Sequence, residues 1–497
     1  MFKKILIANR SEIACRVIKA CKEMGIKSVA VYSEADALSR HVRIADEAVC
    51  IGPAPARDSY LKMEAIIEAA MQTGSDAIHP GYGFLAENHE FNQKVRDAGL
   101  IFIGPDPEPM KLLGSKVASR IKMLEAGVPV IPGMNSSSKK IEDFEEAAES
   151  MGFPVLIKAS AGGGGKGMRI VNKKDDLASS VESAMRESLS AFGSDEVFLE
   201  KYIEQPRHIE FQVAADNHGN ALHLFERECS IQRRHQKIIE ESPSTAIDAE
   251  LRRKMGETAV RVIKASNYNN LGTVEFLVDK NKNFYFLEVN ARIQVEHPIT
   301  EAVTGIDLVK LQIQIADGET LPFTQDDLNQ RGHAIECRIY AEDADNNFMP
   351  SSGIIHYLRE PLGGGIRYDS GIYQGATIPV FYDPVLAKLI TFGKDREEAR
   401  VRMILALKDN IILGVKTSIG FMIRVLEHEE FIAGNTYTDF IDKNMKNWKK
   451  DESDLFNAAL ASASLTSSKK KVEFEFSESI IPEPWQLIGK WEIAAGN

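Results

Sequence analysis

Short apolar stretches alternate with amphipathic ones along the first hundred or so residues. KILIANR (4–10), KSVAVYS (27–33) and DAIHP (76–80) predict buried strands, whereas SEIACRVIKACKEMG (11–25) and a segment near residues 59–72 predict helices. This alternation predicts a doubly wound parallel sheet similar to a Rossmann domain. The first turn between strand and helix, ANRSE, has no glycine and so lacks the clearance that the pyrophosphate of a dinucleotide needs. NAD is therefore not expected.

A glycine-rich run, KASAGGGGKGMRI (158–170), follows in the second part of the chain. It fails as a P-loop because Met168 and Arg169 stand where Lys and Ser or Thr are required. It also matches G-x-G-x-x-G, but that fingerprint needs a helix after it, and MRIV (168–171) is strand-like. The run is predicted to form a mobile hairpin between two strands. The lysines that flank the glycines favour an anion as its ligand; the alternative is a surface hairpin without a ligand.

The hairpin GTVEFLVDKNKNFYFLEVN (272–290) carries two carboxylates that are predicted to face each other. With residues 281–282 at the tip, Glu275 falls opposite Glu288, and opposed residues have Cβ atoms about 4.5–5.5 Å apart. Two unit charges about 5 Å apart repel by roughly 3 kcal/mol at an effective dielectric constant of about 20. A cation is therefore expected between them, and with Asn290 on the same face the oxygen ligands suit Mg²⁺. A register slip of one residue, the alternative, would put the carboxylates on opposite faces.

The alternation of apolar and polar residues continues beyond this hairpin. It predicts one strand with a wholly polar face, formed by Glu288, Asn290, Arg292, Gln294 and Glu296. A solvated sheet face is the alternative, although such faces favour Lys, Thr and Ser. Arg292 can bind a small planar anion through two parallel hydrogen bonds. Glu296 is a candidate general base beside it, and Arg338 in AIECRIYAED could add a second positive charge.

Composition narrows the possible functions. Among 497 residues, 60 are basic and 72 acidic, and the net charge of −12 argues against nonspecific nucleic-acid binding as the main activity. Five cysteines without a C-x-x-C pair fit a reducing compartment and give no zinc pattern. No apolar run is long enough for a membrane helix or a signal peptide. We expect a cytoplasmic protein with neither a membrane nor a nucleic-acid partner.

In this acidic chain, the basic stretch ECSIQRRHQKIIEES (228–242) is predicted to bind an anion, the alternative being a solvated turn.

Seven stretches in this order resemble biotin carboxylase, an ATP-grasp enzyme, over roughly residues 1–447. They are KILIANRSEIA, AIHPGYGFLAEN, GSK, PVLIKASAGGGGKGM, FLEKYIEQPRHIEFQV, ERECSIQRRHQK and EVNARIQVEHPITE. The resemblance implies a multidomain fold of the α/β and α+β classes, with a Rossmann-like parallel sheet, an ATP-grasp flap domain and a mixed C-terminal sheet. The expected boundaries are 1–113, 114–203 and 204–447, followed by a linker and tail of unknown role at 448–497.

The resemblance also implies a role for particular residues. The ATP site would comprise Lys116, Lys158, Gly163, Gly164, Gly165, Glu200, Lys201, Ile203, His208, Gln232, His235 and Leu277. Magnesium or manganese would be held by Glu275, Glu288 and Asn290. Bicarbonate would be bound by Arg292, Gln294 and Val295 and deprotonated by Glu296. Lys237 would stabilise the phosphorylated intermediate, and Arg338 the biotin enolate, with Tyr82 near the biotin.

The implied reaction is the ATP-dependent carboxylation of biotin by bicarbonate, through carboxyphosphate, with release of ADP and phosphate. This is the first half-reaction of biotin-dependent carboxylases that act on acetyl-CoA, propionyl-CoA or pyruvate. No Met-Lys-Met biotinylation site occurs, so biotin is expected to arrive on a separate biotin carboxyl carrier protein, with a carboxyltransferase subunit as a further partner. A homodimer is expected through Arg16, Glu23 and Arg367, although Gly363–Gly365 lacks an aromatic residue that some relatives have there.

Some positions depart from the family pattern, and two other functions stay open. Ser11 replaces a common glycine, Ala291 replaces a common Thr or Pro, and Lys166 replaces an Arg found in some relatives. None of these changes removes a chemical group that the mechanism needs. One alternative is another ATP-grasp ligase that joins a carboxylate to an amine, which would not need the RIQVEH sequence. The other is a catalytically silent nucleotide-binding subunit.

Overall fold

The N-terminal part of the molecule is a five-stranded parallel sheet with the strand order β3–β2–β1–β4–β5. It belongs to a computed structural model that describes residues 1–160, 168–234, 236–446 and 448. The strands are β1 Lys4–Ile7, β2 Lys27–Ser33, β3 Glu47–Gly52, β4 Ala77–His79 and β5 Ile101–Phe102. The helices in this part are α1 Ser11–Glu23, α2 Arg40–Ile44, α3 Met63–Thr73, α4 His89–Asp97 and α5 Pro107–Gly114. The predicted parallel sheet is confirmed.

Two predicted boundaries in this part shift for local reasons. The first strand ends at Ile7 rather than Arg10, because the Asn9 side chain turns the chain by accepting a hydrogen bond from the Arg10 amide at 2.9 Å. The helix expected near residues 59–72 begins at Met63, because a 3-10 turn at Ala56–Asp58 and the extended Lys62 precede it. Neither shift changes which residues form the core.

The second part is built around a small antiparallel sheet with the order β7–β6–β8. Its elements are α6 Lys116–Glu125, α7 Ile141–Met151, β6 Val155–Ala159, β7 Arg169–Val171, α8 Leu177–Phe192 and β8 Val197–Lys201. Leu156 pairs with Ile170 across β6 and β7, so the predicted hairpin strands are confirmed. The glycine run between them, with Gly163, Gly164 and Gly165, lies outside the described residues.

The largest sheet has eight strands in the order β13–β12–β9–β10–β11–β14–β21–β19. Its strands are β9 Arg207–Ala215, β10 Ala221–Arg233, β11 Gln236–Ser242, β12 Asn270–Val278, β13 Phe284–Asn290, β14 His333–Tyr340, β19 Ile366–Ser370 and β21 Val385–Gly393. Each pairing described in this sheet is antiparallel, although a mixed sheet was expected. Apolar side chains at alternate positions, such as Phe211 and Phe276, are fully buried beneath it.

The remaining elements of the C-terminal part surround this sheet. The helices are α9 Ala249–Ala265, α10 His297–Thr304, α11 Leu308–Ala316, α12 Arg396–Asp409, α13 Ile419–Glu427, α14 Glu429–Ile432 and α15 Phe440–Asn444. The short strand pairs are β15 Glu342–Asp343 with β16 Met349–Pro350, β17 Gly353–Ile354 with β20 Thr377–Ile378, and β18 Tyr357–Arg359 with β22 Ile411–Leu413. Within the part of the chain that the structure describes, no helix has the length and apolar character to cross a bilayer.

The strand predicted to run through residue 296 ends earlier. β13 stops at Asn290, and the Ala291 amide donates to Glu87 Oε1 at 3.0 Å instead of continuing the ladder. Glu296 then precedes α10, whose first turn contains Pro298. The prediction of a single polar strand face through Glu296 was therefore wrong. Residues 291–296 form a loop, which we call the 291–296 loop.

Candidate active site

A cleft of about 1170 Å³ is lined by the N-terminal part, the small sheet and the large sheet. It brings together nearly all the described residues that were predicted to bind substrate: Tyr82, Lys116, Lys158, Glu200, Lys201, Ile203, His208, Gln232, Lys237, Glu275, Leu277, Glu288, Asn290, Arg292, Gln294, Val295 and Arg338. Glu296 is fully buried beneath this surface and bonds directly to two of these residues. His235 lies outside the described residues.

Two carboxylates face each other across the β12–β13 hairpin. Glu275 is paired with Glu288, which confirms the predicted opposition. Asn290 donates from Nδ2 to Glu275 Oε1 at 2.9 Å, so its amide belongs to the same cluster. Burial and the neighbouring Glu275 raise the pKa of Glu288. Among the described residues Glu288 has no ion-pair partner, and this unpaired carboxylate beside a second one suits a divalent cation with oxygen ligands.

Lys237 lies at the centre of a buried cluster of glutamates. Its Nζ donates to Glu210 Oε2 at 2.5 Å, to Glu275 Oε1 at 2.8 Å and to Glu296 Oε1 at 2.8 Å. Burial alone would lower the pKa of Lys237, but the three carboxylates raise it well above its ordinary value. The lysine therefore stays charged and holds Glu296 at the edge of the carboxylate pair.

Glu296 lies between two cations. Arg338 donates from Nη2 to Glu296 Oε2 at 2.9 Å, opposite the bond from Lys237. Burial would raise the pKa of Glu296, but Lys237 and Arg338 hold it well below its usual range. Arg338 also donates from Nε to Glu240 Oε1 at 2.6 Å, which fixes its guanidinium. The Glu296 side chain is therefore an ionised carboxylate, the state that a proton acceptor needs.

The 291–296 loop presents a second arginine to the cleft. Arg292 donates to Glu87 Oε2 at 3.0 Å, to Asn290 Oδ1 at 3.0 Å and to Gln294 Oε1 at 2.9 Å. Val295 lines the cleft beside it. Although these residues do not share a strand, the loop turns their polar groups to the same side, where they can bind a small anion.

The other end of the cleft has the character of a nucleotide site. Lys158 Nζ donates to Glu200 Oε2 at 2.5 Å, and both side chains are buried. Burial, the largest cause, and the neighbouring Lys158 lower the pKa of Lys116, an effect that Glu288 partly offsets. Apolar side chains line the same end, among them Leu156, Ile203, Leu277 and Phe286. Cations next to an apolar slot are what the phosphates and base of a nucleotide require.

Three predicted nucleotide residues make contacts with other parts of the chain. Lys201 Nζ donates to the carbonyls of Gly152 and Phe153, each at 3.0 Å, so its ammonium faces the backbone. His208 accepts from Gln232 Nε2 at 2.8 Å, and its own Nε2 lies 2.9 Å from Glu275 Oε2. His208 therefore connects Gln232 to the carboxylate pair.

Some residues of the site were missed by the sequence analysis. Glu210 is fully buried on β9 opposite Glu275. The alternation in HIEFQV (208–213) could have placed it on the same face of the strand as His208, which was predicted to line the site. Glu87 contacts the 291–296 loop from the N-terminal part, more than 200 residues away in sequence. No local pattern could have revealed that contact.

Three family models match successive parts of the chain. Residues 1–110 match "Biotin carboxylase, N-terminal domain", residues 115–324 match "Carbamoyl-phosphate synthase L chain, ATP binding domain", and residues 336–443 match "Biotin carboxylase C-terminal domain". Together with the cleft, these matches assign the chain to the class of proteins with the ATP-grasp fold.

Known relatives specify the family. Biotin carboxylase 1 of Bacillus subtilis is 50% identical over 443 residues, which cover 89% of this chain and 98% of the relative. Methylcrotonoyl-CoA carboxylase subunit alpha of Rattus norvegicus is 49% identical over 93% of this chain, but the match spans only 65% of the rat protein. The biotin carboxylase domain dimer of Hydrogenobacter thermophilus 2-oxoglutarate carboxylase, solved with MgADP, ADP and bicarbonate, matches with a TM-score of 0.87 and 46% identity over 90% of this chain and 100% of that one. The chain belongs to the biotin carboxylase family.

Proposed function

We propose that this protein carboxylates biotin, using ATP and bicarbonate and releasing ADP and phosphate. The observation that carries the proposal is the position of Glu296, an ionised carboxylate between Lys237 and Arg338 at one end of a cleft whose other end suits a nucleotide. A base beside an anion-binding arginine is what bicarbonate activation requires.

The nucleotide would lie between the small sheet and the large sheet. Lys116 and Lys158 would bind its phosphates and Ile203 and Leu277 its base, with His208 and Gln232 toward the ribose and phosphates. Glu200 and Lys201 would contribute on the adenine side, Lys201 through its backbone. Glu275, Glu288 and Asn290 would hold Mg²⁺ or Mn²⁺, which would neutralise phosphate charge when bound. The cluster of Gly163, Gly164 and Gly165, and His235, complete the proposed set.

Bicarbonate is a poor electrophile, and the first step activates it. Arg292, Gln294 and Val295 would hold the anion while Glu296 accepts its proton. A bicarbonate oxygen would then attack the γ-phosphorus of ATP, and the bond from that phosphorus to the bridging oxygen of ADP would break. The products are carboxyphosphate and ADP, and Lys237 would offset the negative charge that develops during the transfer.

The second step transfers the carbon to biotin. The bond between the carboxyl carbon and the phosphate oxygen of carboxyphosphate would break, giving CO₂ and phosphate. The phosphate would accept the N1 proton of biotin, and the biotin nitrogen would attack CO₂. Arg338 would stabilise the enolate form of the biotin ring, with Tyr82 beside it. Water would hydrolyse carboxyphosphate, so a hairpin that closes over the site has a chemical purpose.

Kinetics can separate this function from the alternatives. We expect ADP release from Mg-ATP to require bicarbonate, to increase with free biotin, and to fall at least about 100-fold in Glu296→Ala. The exposed Glu146→Gln is the control and should leave ADP release unchanged. ADP release that is indifferent to bicarbonate and biotin would favour another ATP-grasp ligase. No turnover even with a biotinylated carrier domain would favour a silent nucleotide-binding subunit.

The proposal extends to domains, partners and location. We infer the boundaries 1–113, 114–203 and 204–447, with 448–497 as a linker and tail. Biotin would be presented by a biotin carboxyl carrier protein and passed to a carboxyltransferase subunit, in the cytoplasm.

A homodimer belongs to the same proposal. Arg16 is buried and bonds within the chain to Glu301 at 2.8 Å and Asp307 at 2.6 Å. Glu23 and Arg367 also pair within the chain, with Lys310 and Glu301, but they are more exposed, so a dimer contact would use them. Sedimentation of an Arg367→Glu variant tests this contact. A variant that still sediments as a dimer would exclude Arg367 from the interface.

A further inference from the structure

A buried lysine lies behind the 291–296 loop and has no part in the reaction proposed above. Lys388, on β21, is fully buried and stands directly opposite Arg338 on β14. Its Nζ donates to the backbone carbonyl of Val295 at 2.8 Å. The same Nζ lies 3.3 Å from Oε2 of Glu12, which is 2% exposed on α1. One ammonium group thus joins three separate stretches of the chain.

The surroundings of Lys388 explain how a buried ammonium is tolerated. Lysine is almost never fully buried without a partner, because its charge loses hydration. Asp369 is the directly opposed residue on β19, and Glu336 lies two residues before Arg338 on β14. Burial raises the pKa of Glu336 well above its ordinary value and that of Glu12 to about 7. Burial would also raise the pKa of Asp369, but Arg367 and Lys388 hold it below its usual range, so Asp369 supplies most of the negative charge beside Lys388. An apolar side chain could fill the same space without needing acidic neighbours. Packing alone therefore does not explain why a charged side chain that donates a hydrogen bond lies here.

The contact with Val295 bears directly on Glu296. The carbonyl of Val295 and the amide nitrogen and Cα of Glu296 lie in one rigid peptide plane. A hydrogen bond that orients this carbonyl therefore orients the backbone from which the Glu296 side chain extends. Lys237 and Arg338 hold the carboxylate end of the same side chain. Glu296 is thus fixed at both its backbone and its carboxylate.

We propose that Lys388 is a positioning residue for the carboxylation reaction: it holds the Val295–Glu296 peptide in the orientation that places the base against bicarbonate, and Glu12 packs against the same ammonium group. This inference rests on the proposed function of the 291–296 loop. It adds a residue of the C-terminal part and a residue of the first helix to the parts of the chain that determine the bicarbonate site.

The proposal predicts a selective kinetic defect. In Lys388→Met we expect the KM for bicarbonate to rise and kcat to fall, with a combined loss of about 100-fold in kcat/KM, because a displacement of about 1 Å in the reacting groups has this effect. The KM for ATP should stay within roughly twofold of the wild-type value, because the nucleotide end of the cleft is untouched. Lys388→Arg keeps a charged hydrogen-bond donor, so its kcat/KM for bicarbonate should lie between the values of the wild type and of Lys388→Met.

A matched control separates positioning from general loss of stability. Arg400 is also a buried cation of the C-terminal part and donates to a backbone carbonyl, that of Leu426 at 2.9 Å, and neither residue lines the cleft. Arg400→Met should lower thermal stability and leave both KM values unchanged. Thermal unfolding and MgADP binding, measured on every variant, show how much of each preparation is folded.

The outcomes are distinct. A wild-type protein without bicarbonate-dependent turnover would overturn the proposed function, and the inference with it. Two results would overturn the inference about Lys388 and leave the proposed function standing, provided that the wild type is active. They are an unchanged KM for bicarbonate in Lys388→Met, or an equal loss of kcat/KM for bicarbonate and for ATP. If Lys388→Met does not fold, Glu12→Gln decides: we expect a rise of about threefold to tenfold in the bicarbonate KM with unchanged ATP binding, and no rise overturns the inference.

Discussion

Glu275 on β12 lies directly opposite Glu288 on β13, and among the described side chains none forms an ion pair with both carboxylates. Lys237 and His208 hold the pKa of Glu275 well below its usual range, although burial alone would raise it. The pKa of Glu288 is raised by burial and by Glu275. The charge of Glu275 is therefore stabilised by its neighbours, whereas on balance the charge of Glu288 is not. A bound metal ion would stabilise the ionised form of Glu288.

Replacing Glu288 by Gln should affect stability and activity in opposite directions. Because the substitution removes the repulsion, we expect the free energy of unfolding in EDTA to rise by about 1 kcal/mol, less than the roughly 3 kcal/mol of two full charges at an effective dielectric constant of about 20. Turnover with Mg-ATP should fall at least about 100-fold. Urea denaturation and ADP release check the two parts, with Glu146→Gln as the control. A variant less stable in EDTA, or with wild-type turnover, contradicts the prediction.

Glu87 should determine the affinity for bicarbonate without taking part in proton transfer. Its two oxygens accept from the Ala291 amide and from Arg292 Nε, each at 3.0 Å. In Glu87→Gln the bidentate contact is weakened, and we expect the KM for bicarbonate to rise about tenfold, equivalent to roughly 1.4 kcal/mol. The KM for ATP should not change.

The neighbouring Glu90 is exposed, and Glu90→Gln provides the control for this measurement. Equal kinetics for the Glu87 and Glu90 variants would show that the contact has no influence on the anion site.

Glu241 should stabilise the protein in a defined pH range. It accepts from Arg396 at 2.6 Å and 3.1 Å and lies 2.9 Å from His333 Nε2. Burial would raise the pKa of Glu241, but His333 and Arg396 lower it from 4.5 to about 2. Because the folded-state pKa is the lower one, the stabilisation is complete above about pH 4.5 and is lost as the pH falls toward about 2.

Chemical denaturation of Glu241→Gln between pH 3 and pH 7 checks this expectation. The wild type should be more stable by about 3 kcal/mol at pH 7, and this difference should narrow below about pH 4.5. The exposed Glu429→Gln should show no such trend. A difference that is constant down to pH 3 would mean that the carboxylate is not responsible.

Ser11 has a backbone conformation that serine rarely adopts. Its φ is +57°, in the left-handed region. Its hydroxyl packs so closely against Gly371 that a Cβ added to that glycine would lie 2.2 Å from the hydroxyl oxygen. Ser11→Gly should therefore raise the free energy of unfolding by about 1 kcal/mol. Ser39→Gly should lower it, because Ser39 has a φ of −66° and its hydroxyl donates to Asp36 at 2.8 Å. A less stable Ser11→Gly would contradict the strain argument.

Much of the fold follows from local patterns, because alternation and buried apolar runs depend on neighbours in sequence. The β12–β13 pairing shows how such an argument can succeed for incomplete reasons. The turn contains one residue more than the two-residue tip that the sequence analysis predicted, and Lys282 in it has a φ of +64°. As a result, Phe276 pairs with Phe286 rather than with Leu287. A bulge beside Glu275 then restores the predicted pairing with Glu288.

Other parts of the site could not be predicted from local patterns. The residues 291–296 alternate as a strand would, but α10 begins immediately afterwards and Glu87 takes the amide that a strand would pair. Lys388 reaches Val295 from a strand some 90 residues later in the chain. Such contacts depend on how the separate parts pack, which no periodicity in sequence records.

The fate of the bicarbonate oxygens tests the central claim most directly. With ¹⁸O-labelled bicarbonate, ATP, Mg²⁺ and biotin, one labelled oxygen should appear in each released phosphate, because the oxygen that attacks the γ-phosphorus stays with it when CO₂ leaves. Mass spectrometry of the phosphate, taken before bicarbonate exchanges its oxygens with water, gives the answer. Labelled phosphate in the wild type, lost with Glu296→Ala, is the predicted result. Phosphate that carries only oxygen from water and ATP would contradict the account.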